Sequence, residues 1–209
     1  MQPMQTQQKR RAYWLKTLHR WHWISSALCM VAIVLFSVTG FTLNHAGSIE
    51  GKAVVVRKSA QLPAALLQDF GTHADKETAP LPAPARDWLA REFGVDVGAH
   101  AAEWSDGEAY VSLPRPGGDA WLSIDLGDGK VEYEKTDRGW ISYLNDLHKG
   151  RNSGPLWGWF IDVFALACLI FSLSGLFLLY LHGRQRPLTW PLVGLGFLLP
   201  LLIALLFIH

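Results

Sequence analysis

Histidines are the residues of this 209-residue chain whose types and positions best define a chemistry. The chain has eight of them, and six stand at the ends of long apolar segments. These six are His19, His22, His45, His148, His182 and His209. A neutral imidazole is a good ligand for transition metals, and six-coordinate haem iron takes one axial ligand on each side of the porphyrin. Pairs of histidines at helix ends therefore predict ligation of haem iron.

Three apolar segments could position these histidines, namely Ile24–Leu43, Leu156–Leu181 and Leu188–Ile208. Each is long enough to cross a bilayer core of roughly 30 Å, so we expect three transmembrane helices. The first segment follows a basic region, as a signal peptide would. Its apolar run is longer than a signal core and no small-x-small cleavage pattern follows it, so we expect it to be retained.

The distribution of basic residues predicts the orientation of the spans. Five of them precede the first span without any acidic residue, and two lie in the loop between the second and third spans. They are Lys9, Arg10, Arg11, Lys16 and Arg20, then Arg184 and Arg186. By the positive-inside rule both segments are cytoplasmic. We therefore expect a cytoplasmic N-terminus with residues 46–154 on the outer side. In a Gram-negative bacterium this would be an inner-membrane protein with residues 46–154 in the periplasm.

The predicted organisation is a three-helix membrane protein with a small periplasmic α+β domain inserted between helices 1 and 2. Its parts are a polar, disordered cytoplasmic tail (1–12), the first transmembrane helix with an interfacial extension (13–45), the periplasmic domain (46–139), an amphipathic interfacial helix and turn (140–154), the second transmembrane helix (155–182), a cytoplasmic loop (183–187) and the third transmembrane helix (188–209). Within the first span, Thr39-Gly40 is expected to be a close-packing point against another helix.

The periplasmic segment reads as a mixture of helices and an antiparallel meander. Strands are predicted at Ala53–Lys58, His100–Trp104, Glu108–Leu113, Ala120–Ile124 and Lys130–Glu134, and helices at Leu62–Phe70 and Ala85–Phe93. Asp106-Gly107 and Asp128-Gly129 stand between alternating runs, which is typical of β-hairpins. Gly94 is expected to end the second helix. The Pro- and Ala-rich stretch around Pro80, Pro82 and Pro84 is expected to be a linker.

Residues 140–150 predict a short amphipathic helix on the outer membrane surface. Ile141, Leu144 and His148 share one face at helical spacing, and Gly150 ends the run.

This topology sorts the histidines into two groups. His19, His22 and His182 fall at the cytoplasmic interface, and His45 and His148 fall at the outer interface, with His209 as a further candidate there. Two groups predict two b-type haems, held by His22 or His19 with His182 and by His45 with His148. His19 and His22 differ by about 60° in direction around the helix, which leaves the choice between them open. The competing interpretation is that these imidazoles are interfacial anchors.

Other polar residues within the spans are weaker candidates for a functional role. Asp162 lies inside the second span, where a carboxylate is costly and usually faces a partner. It is expected to orient an outer histidine ligand, to relay protons, or simply to bond a neighbouring helix. Cys29 and Cys168 have no metal-site spacing and are interpreted as small apolar helix residues. His73 and His100 belong to the outer domain and are given no role.

Four stretches of the chain resemble the PepSY-associated transmembrane proteins of Gram-negative bacteria. They are Leu18–Trp23 with Val38–Gly40 and Leu43–His45, then Ser123–Val131 at the end of a PepSY-like module, then Leu144–Arg151, and finally Trp159–Asp162 with Ser172–Leu176. The last two stretches are the most specific, and together the four extend over nearly the whole chain.

The resemblance implies a function in iron acquisition, because larger relatives include haem-containing reductases that release iron from ferric siderophores. On that basis we expect electron transfer to ferric iron or a ferric siderophore, with membrane lipid around the helices. The sequence has no flavin or nicotinamide fingerprint, so a separate electron donor is expected. A homodimer is a further expectation, and no nucleic-acid partner is expected. The alternative that the resemblance implies is a non-enzymatic protein that restrains a periplasmic peptidase.

Overall fold

The computed structural model describes residues 2–49, 51–72, 77–98, 100–105, 107–183 and 186–208. The chain divides into two compact units, one formed by residues 36–159 and the other by the described parts of residues 1–35 and 160–209. The helices are α1 (Gln2–Asn44), α2 (Ala46–Ile49), α3 (Ala64–Leu67) with a 3-10 helix (Gln68–Thr72), α4 (Ala83–Phe93), α5 (Gly139–Lys149), α6 (Gly154–His182) and α7 (Thr189–Phe207). The strands are β1 (Val54–Gln61), β2 (Thr78–Pro80), β3 (Ala101–Ser105), β4 (Glu108–Ser112), β5 (Gly118–Asp125) and β6 (Lys130–Asp137).

Three helices are long and apolar enough to cross a membrane, as the hydropathy predicts. They comprise Gln8–Asn44 within α1, then Gly154–His182 and Thr189–Phe207. α7 buries none of its residues within the chain, and its large side chains are exposed along its length. Such a surface suits lipid rather than water. α1 begins at Gln2, so the tail expected to be disordered is helical over its described residues.

Between α1 and α6 in the chain lies one antiparallel sheet of six strands, in the order β1-β6-β5-β4-β3-β2. The β5–β6 hairpin is confirmed at Asp128-Gly129, where Gly129 has a φ of 75°. The carboxylate of Asp125 accepts the amide protons of Gly127 and Asp128, which stabilises the turn. β3 and β4 also pair as predicted, although Asp106 of their turn lies outside the described residues.

One face of this sheet packs against α4 to form the hydrophobic core. On α4, Ala85, Leu89 and Phe93 are buried, and alternate residues of β5 from Gly118 to Ile124 are buried opposite them. The alternation follows from the two-residue period of a strand. α4 ends at Gly94 with a φ of 69°, which confirms the predicted stop.

The linker predicted around Pro80 is instead partly an edge strand. Residues 78–80 form β2, which pairs with β3 and receives the indole N–H of Trp104 on the carbonyl of Ala79 at 2.9 Å. Proline is compatible with this position because an edge strand leaves some of its amides unpaired. The helix predicted at Leu62–Phe70 is shorter, since α3 passes into the 3-10 helix.

α5 is confirmed as a helix, but its buried side chains are polar. Ser142, Asn145 and Asp146 are buried, whereas the predicted apolar face at Ile141 and Leu144 is only half-buried. The reason is a tight contact with the turn before β5, where the Asp146 carboxylate accepts the Gly117 amide proton at 2.9 Å. A Cβ atom on Gly117 would lie 2.8 Å from the backbone of Tyr143. The outer domain therefore holds α5 by its polar side.

A second polar contact fixes the point where α5 begins. The carboxylate of Asp137 accepts the Gly139 amide proton at 2.8 Å and a guanidinium proton of Arg115 at 2.7 Å. The Gly139 hydrogen bond, followed by Arg115, lowers the pKa of Asp137 below its ordinary value. The chain thus enters α5 in one defined direction.

We predict that Gly117→Ala destabilises the outer domain more than Gly94→Ala. The two glycines have nearly the same φ, 73° and 69°, so both substitutions carry a similar left-handed backbone cost. Only Gly117 lacks room for a Cβ, which adds about 2 kcal/mol of overpacking. The measurement is thermal unfolding of the detergent-solubilised chain by tryptophan fluorescence, and equal losses for the two variants would contradict the tight contact.

Candidate functional site

His22 of α1 is held in a defined position by α6. Its Nδ1 lies 2.9 Å from the hydroxyl of Ser174 and 3.2 Å from the carbonyl oxygen of Phe171. The imidazole stacks on the Phe171 ring with centroids 4.9 Å apart and planes 13° from parallel. A Cβ atom on Gly175 would lie 3.2 Å from Cε1 of His22, so glycine leaves the space that the ring occupies.

His22 and His182 line the same cleft, whose volume is about 750 Å³. The remaining lining residues are Gly175, Leu178, Leu179, Leu181, Gly183, Arg186 and Thr189. The leucines provide apolar walls, while Arg186 adds a positive charge. A cavity of this size is in the range that holds a cofactor, and its walls suit a flat apolar ligand that carries carboxylates.

His19 contacts His182 directly. Their ring centroids are 6.0 Å apart, with the planes 80° from parallel. The structure therefore brings His182 to both inner candidates, to His19 by ring contact and to His22 through the cleft.

His148 of α5 is held in a similar way by α1. Its Nδ1 lies 2.7 Å from the hydroxyl of Thr39, and its ring packs against Phe36 with centroids 5.0 Å apart. A Cβ atom on Gly40 would lie 3.4 Å from Cε1 of His148. The predicted close-packing point at Thr39-Gly40 is thus where the α5 histidine docks.

A neighbouring contact joins the same two helices. The Thr42 hydroxyl donates to Oδ1 of Asn145 at 2.8 Å, and the Asn145 side chain is 2% exposed. Its Nδ2 is buried without a hydrogen-bond partner among the described residues. The Thr42 hydroxyl is also 2.9 Å from the carbonyl oxygen of Thr39.

His45 is exposed just beyond the end of α1. Its Nδ1 lies 3.0 Å from the carbonyl oxygen of Phe41, and the two rings are 4.4 Å apart. No contact between the rings of His45 and His148 occurs among the described residues, so pairing of these two histidines stays a prediction.

The five candidate histidines share one feature of their hydrogen bonding. Each places Nδ1 beside an oxygen atom. The oxygen is the carbonyl four residues earlier for His19, His45 and His182, and a hydroxyl of another helix for His22 and His148. A carbonyl oxygen can only accept, so Nδ1 carries the proton where it faces one. In a neutral imidazole this leaves a lone pair on Nε2, which is the form that ligates a metal.

Other residues singled out from the sequence have fewer contacts or lie elsewhere. Asp162 is exposed on α6 and has no hydrogen bond or ion pair within the described part of the chain, so its predicted role in orienting a ligand stays a prediction. His100 bonds the carbonyl of Val97 in the outer domain. His73 and His209 lie outside the described residues. Cys29 and Cys168 are free thiols.

The sequence predicts Thr39-Gly40 as a close-packing point but does not connect it with His148. It assigns no contact with a candidate histidine to Ser174, Gly175, Phe171 or Phe36. A signal was present, because a hydroxyl residue followed by glycine occurs once within each of two spans, as Thr39-Gly40 and Ser174-Gly175. Within the described ranges no group of three or more His, Cys, Asp or Glu residues could hold a metal ion.

Residues 13–209 match the family described as PepSY_TM-like, which extends over nearly the entire chain. No curated protein and no solved structure matches the sequence.

We predict that Gly175→Val destabilises the protein by about 1–3 kcal/mol, because the added methyl groups would overlap the His22 ring. Gly158→Val is the matched control on the same helix, since nothing lies within 4 Å of its Cβ position. Both variants carry the same β-branched cost in a helix. Thermal unfolding in detergent measures the difference, and an equal effect of both substitutions would contradict the seating of His22 against Gly175.

Proposed function

The chain belongs to the PepSY_TM-like family, and from that premise we propose that it is a bis-histidine haem protein of the bacterial inner membrane. In this proposal it passes electrons outward to ferric iron or a ferric siderophore in iron acquisition. The observation that carries the proposal is the cleft of about 750 Å³ lined by both His22 and His182.

The residues around that cleft fit a b-type haem. His182 with His22, or with His19 at its ring contact, would provide the two imidazoles. Leu178, Leu179 and Leu181 would exclude water from the porphyrin faces, and Arg186 would pair with its carboxylates. When bound, the haem supplies one-electron transfer.

A second haem at the outer end would be held by His148 and His45. Support comes from the seat of His148 on Thr39-Gly40. Asp162 would act on an outer ligand through its carboxylate, as the sequence predicts. The chain carries no flavin or nicotinamide motif, so electrons would come from a separate donor.

A partner-binding function is the second candidate, and one observation favours it. The sheet face opposite α4 carries a stacked pair, Tyr110 and Trp121, with ring centroids 6.2 Å apart and both side chains half-buried. Burial and the nearby carboxylates of Glu103, Glu108 and Asp119 raise the pKa of Tyr110. Such an aromatic, acidic face would suit docking of a periplasmic peptidase, with the histidines as anchors.

We predict haem b bands in the reduced-minus-oxidised spectrum of the protein purified in mild detergent after haem-supplemented expression. His182→Ala should lose about half of the bound haem, because each of the two proposed ligand pairs would hold one haem. His148→Ala should lose the other half. His100→Ala is the control, since this histidine bonds only within the outer domain.

The absence of a Soret or α band from wild type would overturn the haem proposal. Full haem retention in both His182→Ala and His148→Ala would overturn these ligands and favour the partner-binding function.

We also predict the orientation of the chain in the membrane. Cys29 and Cys168 are replaced by Ala, and single cysteines are placed at exposed Lys9 and Ser59. Ser59→Cys should react with a membrane-impermeant thiol reagent in spheroplasts, whereas Lys9→Cys should react only after permeabilisation, because the basic N-terminal flank stays inside. The opposite labelling pattern would invert the topology.

A further inference from the structure

Two of the candidate ligands are held by the same local device on different helices. His22 meets the hydroxyl of Ser174 and the Cβ position of Gly175, and His148 meets the hydroxyl of Thr39 and the Cβ position of Gly40. In both seats an aromatic residue three positions before the hydroxyl residue packs on the imidazole, Phe171 in one and Phe36 in the other. The two seats therefore share the pattern Phe-x-x-(Ser or Thr)-Gly.

The hydroxyl in each seat has a carbonyl acceptor on its own helix. Ser174 donates to the carbonyl of Phe171 at 3.0 Å, and Thr39 donates to the carbonyl of Phe36 at 3.2 Å. A hydroxyl has one proton, so its oxygen is left to accept from the imidazole. In the inner seat the Phe171 carbonyl, at 3.2 Å from Nδ1, adds a second group that can only accept.

The geometry points to Thr39 and Ser174 as positioning residues that fix His148 and His22 in the Nδ1–H tautomer, so that Nε2 of each ring is presented as the iron ligand. This inference rests on the proposed haem function. It also selects His22 over His19, because the His22 ring is half-buried and held by α6, whereas His19 is exposed and bonds only its own helix through Nδ1.

Thr39 gives the sharper test of the two. His148 reaches across to another helix for its Nδ1 contact, while His22 also has the Phe171 carbonyl as an acceptor. Thr39→Val removes the hydroxyl with little change in shape, and Thr39→Ser restores it. Thr42→Val is the matched control, since it removes a hydroxyl that joins the same two helices without touching an imidazole.

The first readout needs no haem. Imidazole-nitrogen NMR of the histidine-labelled full chain in detergent, with the His148 signal assigned by its loss in His148→Ala, should show the Nδ1–H tautomer in wild type, Thr39→Ser and Thr42→Val. Thr39→Val should shift His148 toward the Nε2–H tautomer. An unchanged His148 tautomer in Thr39→Val would overturn the positioning role.

The second readout is the midpoint potential of the haem-loaded protein. A hydrogen bond from Nδ1 raises the basicity of the ligand and favours ferric iron, so Thr39→Val should raise the potential of one haem while Thr39→Ser and Thr42→Val do not. Ser174→Ala should raise the potential of the other haem by less, because the Phe171 carbonyl remains. Unchanged potentials in Thr39→Val would overturn the inference although haem binds. Absence of haem from wild type, with the NMR result as expected, would instead refute the proposed function.

Discussion

The candidate site depends on one constraint. An imidazole placed among apolar helices needs a hydrogen-bond partner for Nδ1, and in the proposed haem site its Nε2 must stay free to bind the metal. A polar nitrogen left unpaired in such surroundings is costly, so each candidate histidine gives Nδ1 an oxygen partner. For His22 and His148 that partner belongs to another helix, and the following glycine provides the space for the ring. The same contacts that make the histidines compatible with the helices also define the nitrogen that remains for a metal.

The outer domain extends this constraint to α5. The Gly117 amide bonds the buried Asp146 carboxylate, Thr42 bonds Asn145, and Thr39 bonds His148 on the next turn. Asp146, Asn145 and His148 all lie on α5, so the position of the His148 ring depends on the fold of the sheet as well as on α1.

Much of the architecture could be predicted from the sequence because it depends on local pattern. Apolar length marks the three spans, Asp128-Gly129 marks a hairpin, and Gly94 marks the end of α4. β2 was missed because Pro80 and the prolines that follow it are typical of a linker, and because its partner, β3, is about twenty residues away. The polar buried face of α5 was also missed, since only the contacts with Gly117 and Thr42 make it an interior face.

The candidate ligands could be predicted from their positions at the ends of the spans, but their hydrogen-bond partners could not. Thr39 and His148 are 109 residues apart, so no local sequence pattern could reveal their contact. The sequence also left the choice between His19 and His22 open. In the structure His22 bonds Ser174 and stacks on Phe171 of α6, whereas His19 contacts α6 through the ring of His182.

The most direct test of bis-histidine ligation is electron paramagnetic resonance of the oxidised, haem-loaded protein at low temperature. The account predicts low-spin ferric signals in wild type, and predicts that the His22→Ala and His148→Ala double variant loses them to high-spin signals or to haem loss. High-spin iron in wild type, or low-spin signals that survive in the double variant, would contradict it.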